Sequence, residues 1–233
     1  LAFTEEQAVA EASRCLACGG CCDCRACVDA CEAKAIDHDM KDTVRTLDVG
    51  SIIIATGFDV MNPSGLEPYG YGTLPEVITN LEFERLSNAT GPTGGEILMR
   101  DPDNRYLYGD PPSCVAILHC IGSRDANHHE YCSRTCCMYA LKYAHLIKDK
   151  CGPETQVFNF YIDMRCFGKG YEEFYQRVSQ EGVRMIRGKA TSVTRGEPGS
   201  DADGMVVVRA EDTLTGRMVE VPADMVVLCT AME

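Results

Sequence analysis

Four cysteines, Cys120, Cys132, Cys136 and Cys137, fall within the segment CIGSRDANHHEYCSRTCC. They follow CVAILHC, an apolar run that reads as a buried strand, at the place where a phosphate-cradling glycine loop would open a dinucleotide site. That loop is absent: the strand continues into CIGSRD, with one glycine and then charge. Thiolates grouped this closely are soft ligands for iron or zinc. The pattern therefore points to an electron-carrying metal site in place of a nucleotide.

A second block lies near the start. Cys21, Cys24, Cys27 and Cys31 follow C-x2-C-x2-C-x3-C, the ferredoxin spacing, although CEAKAI lacks the usual proline at the exit. Such a run puts three thiolates on one cluster and commonly sends the fourth to another. Cys15, Cys18 and Cys22 lie close by. One cluster is expected from these seven thiols, and a second would need a ligand from elsewhere. Zinc competes for the same donors, but seven close cysteines exceed the four it requires.

The fifteen cysteines of this 233-residue chain are too clustered for a spread disulfide framework, and the adjacent Cys136 and Cys137 would close only a strained ring. With no signal peptide and no apolar run of about 20 residues, a reducing cytoplasm is expected, as in an anaerobe. Cys114, Cys151, Cys166 and Cys229 have no partner spacing and read as buried free thiols. His119, His128, His129 and His145 read as structural or exposed. Gly168 to Gly170 precede a helix and could seat an anion, but such a pair is more often an ordinary loop. No Ser-His-Asp order or paired catalytic carboxylates stands out.

The elements that must position these thiols follow from periodicity. VGSIIIATGF (residues 49–58) is a continuous apolar run of strand length, as expected of a strand buried on both faces. Residues 62–110 are rich in turn formers, with a short helix predicted over 80–87. Beyond residue 113 strands and helices alternate: CVAILHC, a helix over 133–150, TQVFNFYI, a helix over 171–180, and VRMIRG. Two or three strands over 191–221 and a last strand DMVVLC complete the series. Alternation of this kind implies a parallel sheet in a three-layer α/β unit. The hairpin strands before a final parallel strand are typical of the nicotinamide-binding domain of two-domain flavoprotein reductases. A formal charge of −13 without a basic stripe argues against nucleic acid. Leu1 at the start and an end inside an apparent strand exit make the chain read as a piece of a longer polypeptide.

Three runs, VAILHCIGSRD, YCSRTCCMYALKYAHLIK and FYIDMRCFGKGYEEFYQRVSQEGVRMIRG, closely resemble the A subunit of heterodisulfide reductase and its relatives in anaerobic electron-transfer complexes. The resemblance covers nearly the whole chain and implies a three-layer, thioredoxin-reductase-like fold of the FAD/NAD(P)-binding type with a ferredoxin-like cysteine-rich insertion. ATGF, with Ala55, Thr56 and Gly57 at the cofactor, and ADMVVL resemble its two crossover strands. Cys120, Cys132, Cys136 and Cys137 match its [4Fe-4S] motif beside FAD, and Lys142 matches a lysine near the flavin ring. A positive charge there would favour reduced, anionic flavin; without the resemblance Lys142 reads as a solvated helix residue.

Three segments are expected: 1–46, iron-sulfur; 47–112, crossover strand and connection; 113–233, the α/β unit carrying the [4Fe-4S] site. The resemblance implies an oxidoreductase subunit that passes electrons between FAD and at least two [4Fe-4S] clusters, with bifurcation as in its relatives. Implied partners are heterodisulfide reductase B- and C-like subunits, hydrogenase- or formate dehydrogenase-like subunits, and ferredoxin. No G-x-G-x-x-G loop occurs, so FAD would be held largely by residues outside the segment. The alternative is a non-catalytic iron-sulfur connector without its own FAD.

Overall fold

The computed structural model describes residues 4–13, 26–101 and 108–233. Two short helices come first, α1 (Glu5–Ser13) and α2 (Ala26–Ala30). The body begins with β1 (Val77–Thr79) running directly into α3 (Asn80–Ser87). There T-N-L-E forms a capping box: Thr79 Oγ1 accepts the Glu82 N–H at 3.3 Å, and the Glu82 carboxylate accepts the Thr79 N–H at 2.7 Å. Both exchanges satisfy N–H groups that a helix start leaves unpaired.

The alternating series follows as β2 (Cys114–Ile121), α4 (Cys136–Cys151), β3 (Gln156–Tyr161), α5 (Tyr171–Gln180) and β4 (Arg184–Arg187). An antiparallel meander, β5 (Ala190–Arg195), β6 (Val206–Asp212) and β7 (Arg217–Ala223), precedes β8 (Met225–Thr230). The five-stranded sheet is parallel throughout, in the order β1-β8-β2-β3-β4.

Period-two alternation sends successive side chains of the central strands into different layers. Val115 and Ile117 of β2, with Met225, Val227 and Cys229 of β8, join the helix-side core. Ala116 and Leu118, with Val226 and Leu228, pack under the meander. All eight residues of β2 are buried, as a strand covered on both faces requires. Each fully buried Ile or Leu here contributes about 1.5–3 kcal/mol. Helix α4 buries Cys137, Ala140, Leu141, Ala144 and Ile147, one stripe of a 3.6-residue period. The meander is pinned to the sheet by the Tyr69 hydroxyl on the Ala190 carbonyl (3.0 Å) and by Asp224, which accepts the N–H groups of Ser113 and Cys114, both at 2.8 Å. The expected three-layer α/β architecture is thus present.

The structure corrects one expectation outright. Residues 49–58 form no strand: Ile52, Ile53 and Ile54 are 80–92% exposed. A strand buried on both faces needs hydrogen-bonding neighbours and a layer over each face, and among the described residues nothing supplies them. Nor do residues 47–112 stand apart from 113–233, because β1 pairs along β8 in the same sheet. No helix among the described residues is long and apolar enough to cross a membrane.

Candidate metal centre

The C-terminal end of β2 breaks regularity where chemistry was expected. Its register against β8 shifts between Leu118 and Ile121, and Cys120 adopts a left-handed backbone, φ 59°. A bulge re-aims a side chain at the cost of local strain, here about 1–3 kcal/mol for a non-glycine residue in that region. Gly122 follows with φ 72°, where a Cβ would collide with the Met61 sulfur. The loop to α4 is tied down by its backbone: Arg124 N–H donates to the Tyr131 carbonyl at 3.1 Å, and His129 N–H to Gly122 at 3.0 Å. Arg124 also pairs with Asp163 beyond β3 at 2.8 Å.

Cys136 and Cys137 open α4, where unpaired N–H groups and the helix dipole favour thiolate. Their thiols and that of Cys120 meet in a buried trio. Contact with the Cys136 thiol draws the Cys120 pKa below its ordinary value, against the opposing effect of burial. The same contact lowers Cys137, with His119 adding to it. Cys136 itself is driven up by its contacts with Cys120 and then Cys137, and by burial. The trio therefore titrates as a unit. Cys132 sits at the rim, partly exposed, its sulfur accepting the Arg134 N–H at 3.3 Å. Arg124 lies within electrostatic range of both Cys120 and Cys132.

Among the described residues no three His, Cys, Asp or Glu side chains converge as they would around one ion. A cluster makes a different demand, since its thiolates are distributed over several irons. Two buried polar atoms at the centre, His119 Nδ1 and the Tyr139 hydroxyl, have no hydrogen-bond partner among the described residues. Thiolates from a strand end, a loop and a helix start, with cationic side chains close by, fit an iron-sulfur cluster.

Beside the trio opens a cavity of about 640 Å³, lined by Asn80, Glu84, Met138, Tyr139, Tyr143 and Phe167 among others. It lies at the C-terminal edge of the parallel sheet, between the starts of α3 and α4, where open α/β sheets place ligands. Lys142 stands at this edge: its Nζ bonds both oxygens of Glu84, at 2.6 and 2.8 Å, and lies 5.2 Å from the centre of the Tyr143 ring. The predominantly apolar, aromatic wall with one ion pair beside it fits a planar ring system such as flavin.

Two further thiols border the centre. Cys229, fully buried on β8, lies against the Tyr139 hydroxyl and near Cys120 and Cys137; burial pushes its pKa well up. Cys166, after β3, is near Cys137 and is raised to about 11, again by burial. Their sequence spacing held no sign of this, though strand alternation puts Cys229 on the face of Met225 and Val227, toward α4. Glu84 was likewise missed as the partner of Lys142.

Other expected residues are not gathered here. Ala55, Thr56 and Gly57 lie in the exposed 49–58 segment, although the next residue, Phe58, reaches the cavity wall. Cys31 follows α2, partly exposed, its sulfur accepting the Ala35 N–H at 3.4 Å. Cys15, Cys18, Cys21, Cys22 and Cys24 lie outside the described residues, as does the side chain of Cys27.

No protein-family model matches the chain. Among characterised proteins it is 45% identical, over 89% of its length, to the A subunit of the H(2):CoB-CoM heterodisulfide,ferredoxin reductase of Methanothermobacter marburgensis. It is 44% identical over 91% to the iron-sulfur A subunit of the CoB-CoM heterodisulfide reductase of Methanocaldococcus jannaschii. To the A subunit of the ferredoxin/F(420)H(2)-dependent CoB-CoM heterodisulfide reductase of Methanosarcina acetivorans it is 42% identical over 91%. The chain belongs to the family of heterodisulfide reductase A subunits. It spans 26–31% of the length of these three relatives. A solved thioredoxin reductase from T. acidophilum is 14% identical, with a TM-score of 0.32, covering 51% of the chain and 31% of that structure; at that score the likeness carries no weight.

Proposed function

We propose that the chain is the flavin-facing, cluster-bearing part of a heterodisulfide reductase-like oxidoreductase. The observation that carries this reading is the adjacency of the thiol trio to the aromatic cavity, with Tyr139 lining the cavity and touching Cys229 behind it. Bound in these places, a [4Fe-4S] cluster would carry single electrons and FAD would exchange pairs for single electrons. Cys120, Cys132, Cys136 and Cys137 would hold the cluster, and the cavity wall with Lys142 would hold the flavin ring.

The protein's own groups supply the surroundings. Arg124, tied to Asp163, keeps positive charge beside Cys120, which favours its thiolate. Lys142 keeps a cation beside the cavity, held by Glu84. Tyr139, Tyr143 and Phe167 give the cavity an aromatic wall against which a planar ring would stack. The N-terminal cysteine block would hold at least one further [4Fe-4S] cluster leading to partner subunits of the B and C type, to a hydrogenase- or formate dehydrogenase-like subunit, or to ferredoxin. Division of an electron pair between two acceptors, one of them a disulfide, is the finer form of this proposal.

Metal and flavin stoichiometry of the full-length protein, purified anaerobically, tests it. Bound flavin with about four irons for each cluster is the expected result. Full iron without flavin would instead make the chain a connector, and zinc in place of iron would end the electron-transfer reading.

A further inference from the structure

We infer that Ser123, Ser133 and the Tyr131 hydroxyl form a hydrogen-bonded clamp that fixes Cys132 as the ligand of the fourth, solvent-side iron of the centre. The inference rests on the proposed ligand set. Three of its thiols need no such device: Cys120, Cys136 and Cys137 are each 3% exposed and stand on β2 and at the start of α4, where packing places them. Cys132 is partly exposed and belongs to no helix or strand. A ligand in an irregular loop is placed by the bonds its neighbours make.

Those neighbours are bonded on both sides. Before Cys132, the Tyr131 carbonyl accepts the Ser123 hydroxyl at 3.0 Å and the Arg124 N–H at 3.1 Å. After it, Ser133 Oγ lies 3.4 Å from Ser123 Oγ and accepts the Met232 N–H at 3.2 Å. The directions are consistent: Met232 N–H donates to Ser133, the Ser133 hydroxyl to Ser123, and the Ser123 hydroxyl to the Tyr131 carbonyl, so each hydroxyl donates once. The ring closes through the Tyr131 hydroxyl, which donates to the Met232 carbonyl at 2.7 Å. Ser123 is only 3% exposed, and a hydroxyl that deep is kept for the bonds it makes. Met232 is itself flanked by fixed backbone, since Ala231 N–H donates to the Ile121 carbonyl and Glu233 N–H to that of Asp59, both at 2.8 Å. The clamp thus refers Cys132 to the end of β2, which also carries Cys120. Ser123, Ser133 and Tyr131 are positioning residues that act on the centre through Cys132.

Full-length protein with its clusters, made anaerobically, provides the test, read as iron content and EPR spectrum during treatment with ferricyanide and a chelator. Loss of one electron to ferricyanide and of one Fe2+ to the chelator turns [4Fe-4S]2+ into [3Fe-4S]+, whose signal marks a centre that has shed its fourth iron. Cys132→Ala is expected to give that signal at once on oxidation and serves as the reference. Ser123→Ala combined with Ser133→Ala should give it about tenfold faster than the parent protein. Tyr131→Phe should have a smaller effect in the same direction, and Ser133→Thr, which keeps the hydroxyl, should match the parent. A clamp variant that is less stable to denaturant but sheds iron at the parent's rate has lost only structure, and in the double variant that result overturns the inference. Loss of all the centre's iron in the double variant or in Cys132→Ala also overturns it, because the three buried thiolates would then not hold the rest. So does a Cys132→Ala protein that keeps its fourth iron as the parent does. If Cys136→Ser removes no cluster, the ligand set itself fails and the inference falls with it.

Discussion

Strand β2 begins at Cys114 and carries Cys120 near its end, while helix α4 begins at Cys136 and closes at Cys151, yet the two ends of this unit treat the same side chain in opposite ways. At the C-terminal edge of the sheet the thiols touch one another at a helix start, and Cys120 and Cys137 are drawn toward thiolate. At the other edge Cys114 donates to the Pro222 carbonyl at 3.1 Å, and burial raises it to about 11. Cys151 is raised by burial as well, at the helix end whose carbonyls disfavour negative charge. The difference lies in direction along the unit: free N–H groups gather where strands end and helices begin, so ligation belongs at that edge.

The largest test of this contrast is loss of metal. Cys136→Ser or Cys137→Ala should remove one cluster, about four irons, whereas Cys114→Ala and Cys151→Ala should leave iron unchanged, as read by anaerobic iron analysis. Equal losses from both edges would erase the distinction. A smaller effect should come from the stretch of α4 that joins the edges: Leu141→Ala, at a fully buried position, should cost about 2–5 kcal/mol in a denaturation curve while iron is retained at low temperature. The smallest should be a pH effect at the non-ligating edge. The Cys114 thiol is raised from an ordinary 9 to about 11, so the folded state favours its neutral form. Its contribution is fully present below about pH 9 and is lost as pH rises through about 11. Denaturation midpoints measured across that window should therefore fall less steeply in Cys114→Ala than in the parent protein.

Much of this arrangement was legible in sequence because period and punctuation agreed. Helices α3 and α5 have the bounds that their patterns gave, 80–87 and 171–180. Helix α4 starts three residues later than its pattern suggested, since Arg134 takes a left-handed backbone that a right-handed helix excludes. Residues 49–58 mislead for a physical reason: an apolar run states a need for burial, and the described chain does not meet that need. Cys229 was passed over because its meaning is not a spacing. It arises when β8 and β2 lie side by side with one face turned to α4, a relation between strands about a hundred residues apart.

That relation also orders events in time. β8 lies between β1 and β2, and Val77 and Val115 meet it at Val226 and Met225 respectively. A ribosome delivers the flanking strands long before the strand that joins them. Until β8 emerges, β1 and β2 each present an unpaired edge, the condition in which chains pair with the wrong neighbour. The sheet must close over very long separations, a topology that folds slowly. Because Cys229 and the Ala231 N–H that reaches back to Ile121 arrive with β8, the pocket around the thiols is completed only once that last strand has been made. Iron delivered earlier would meet an unfinished shell.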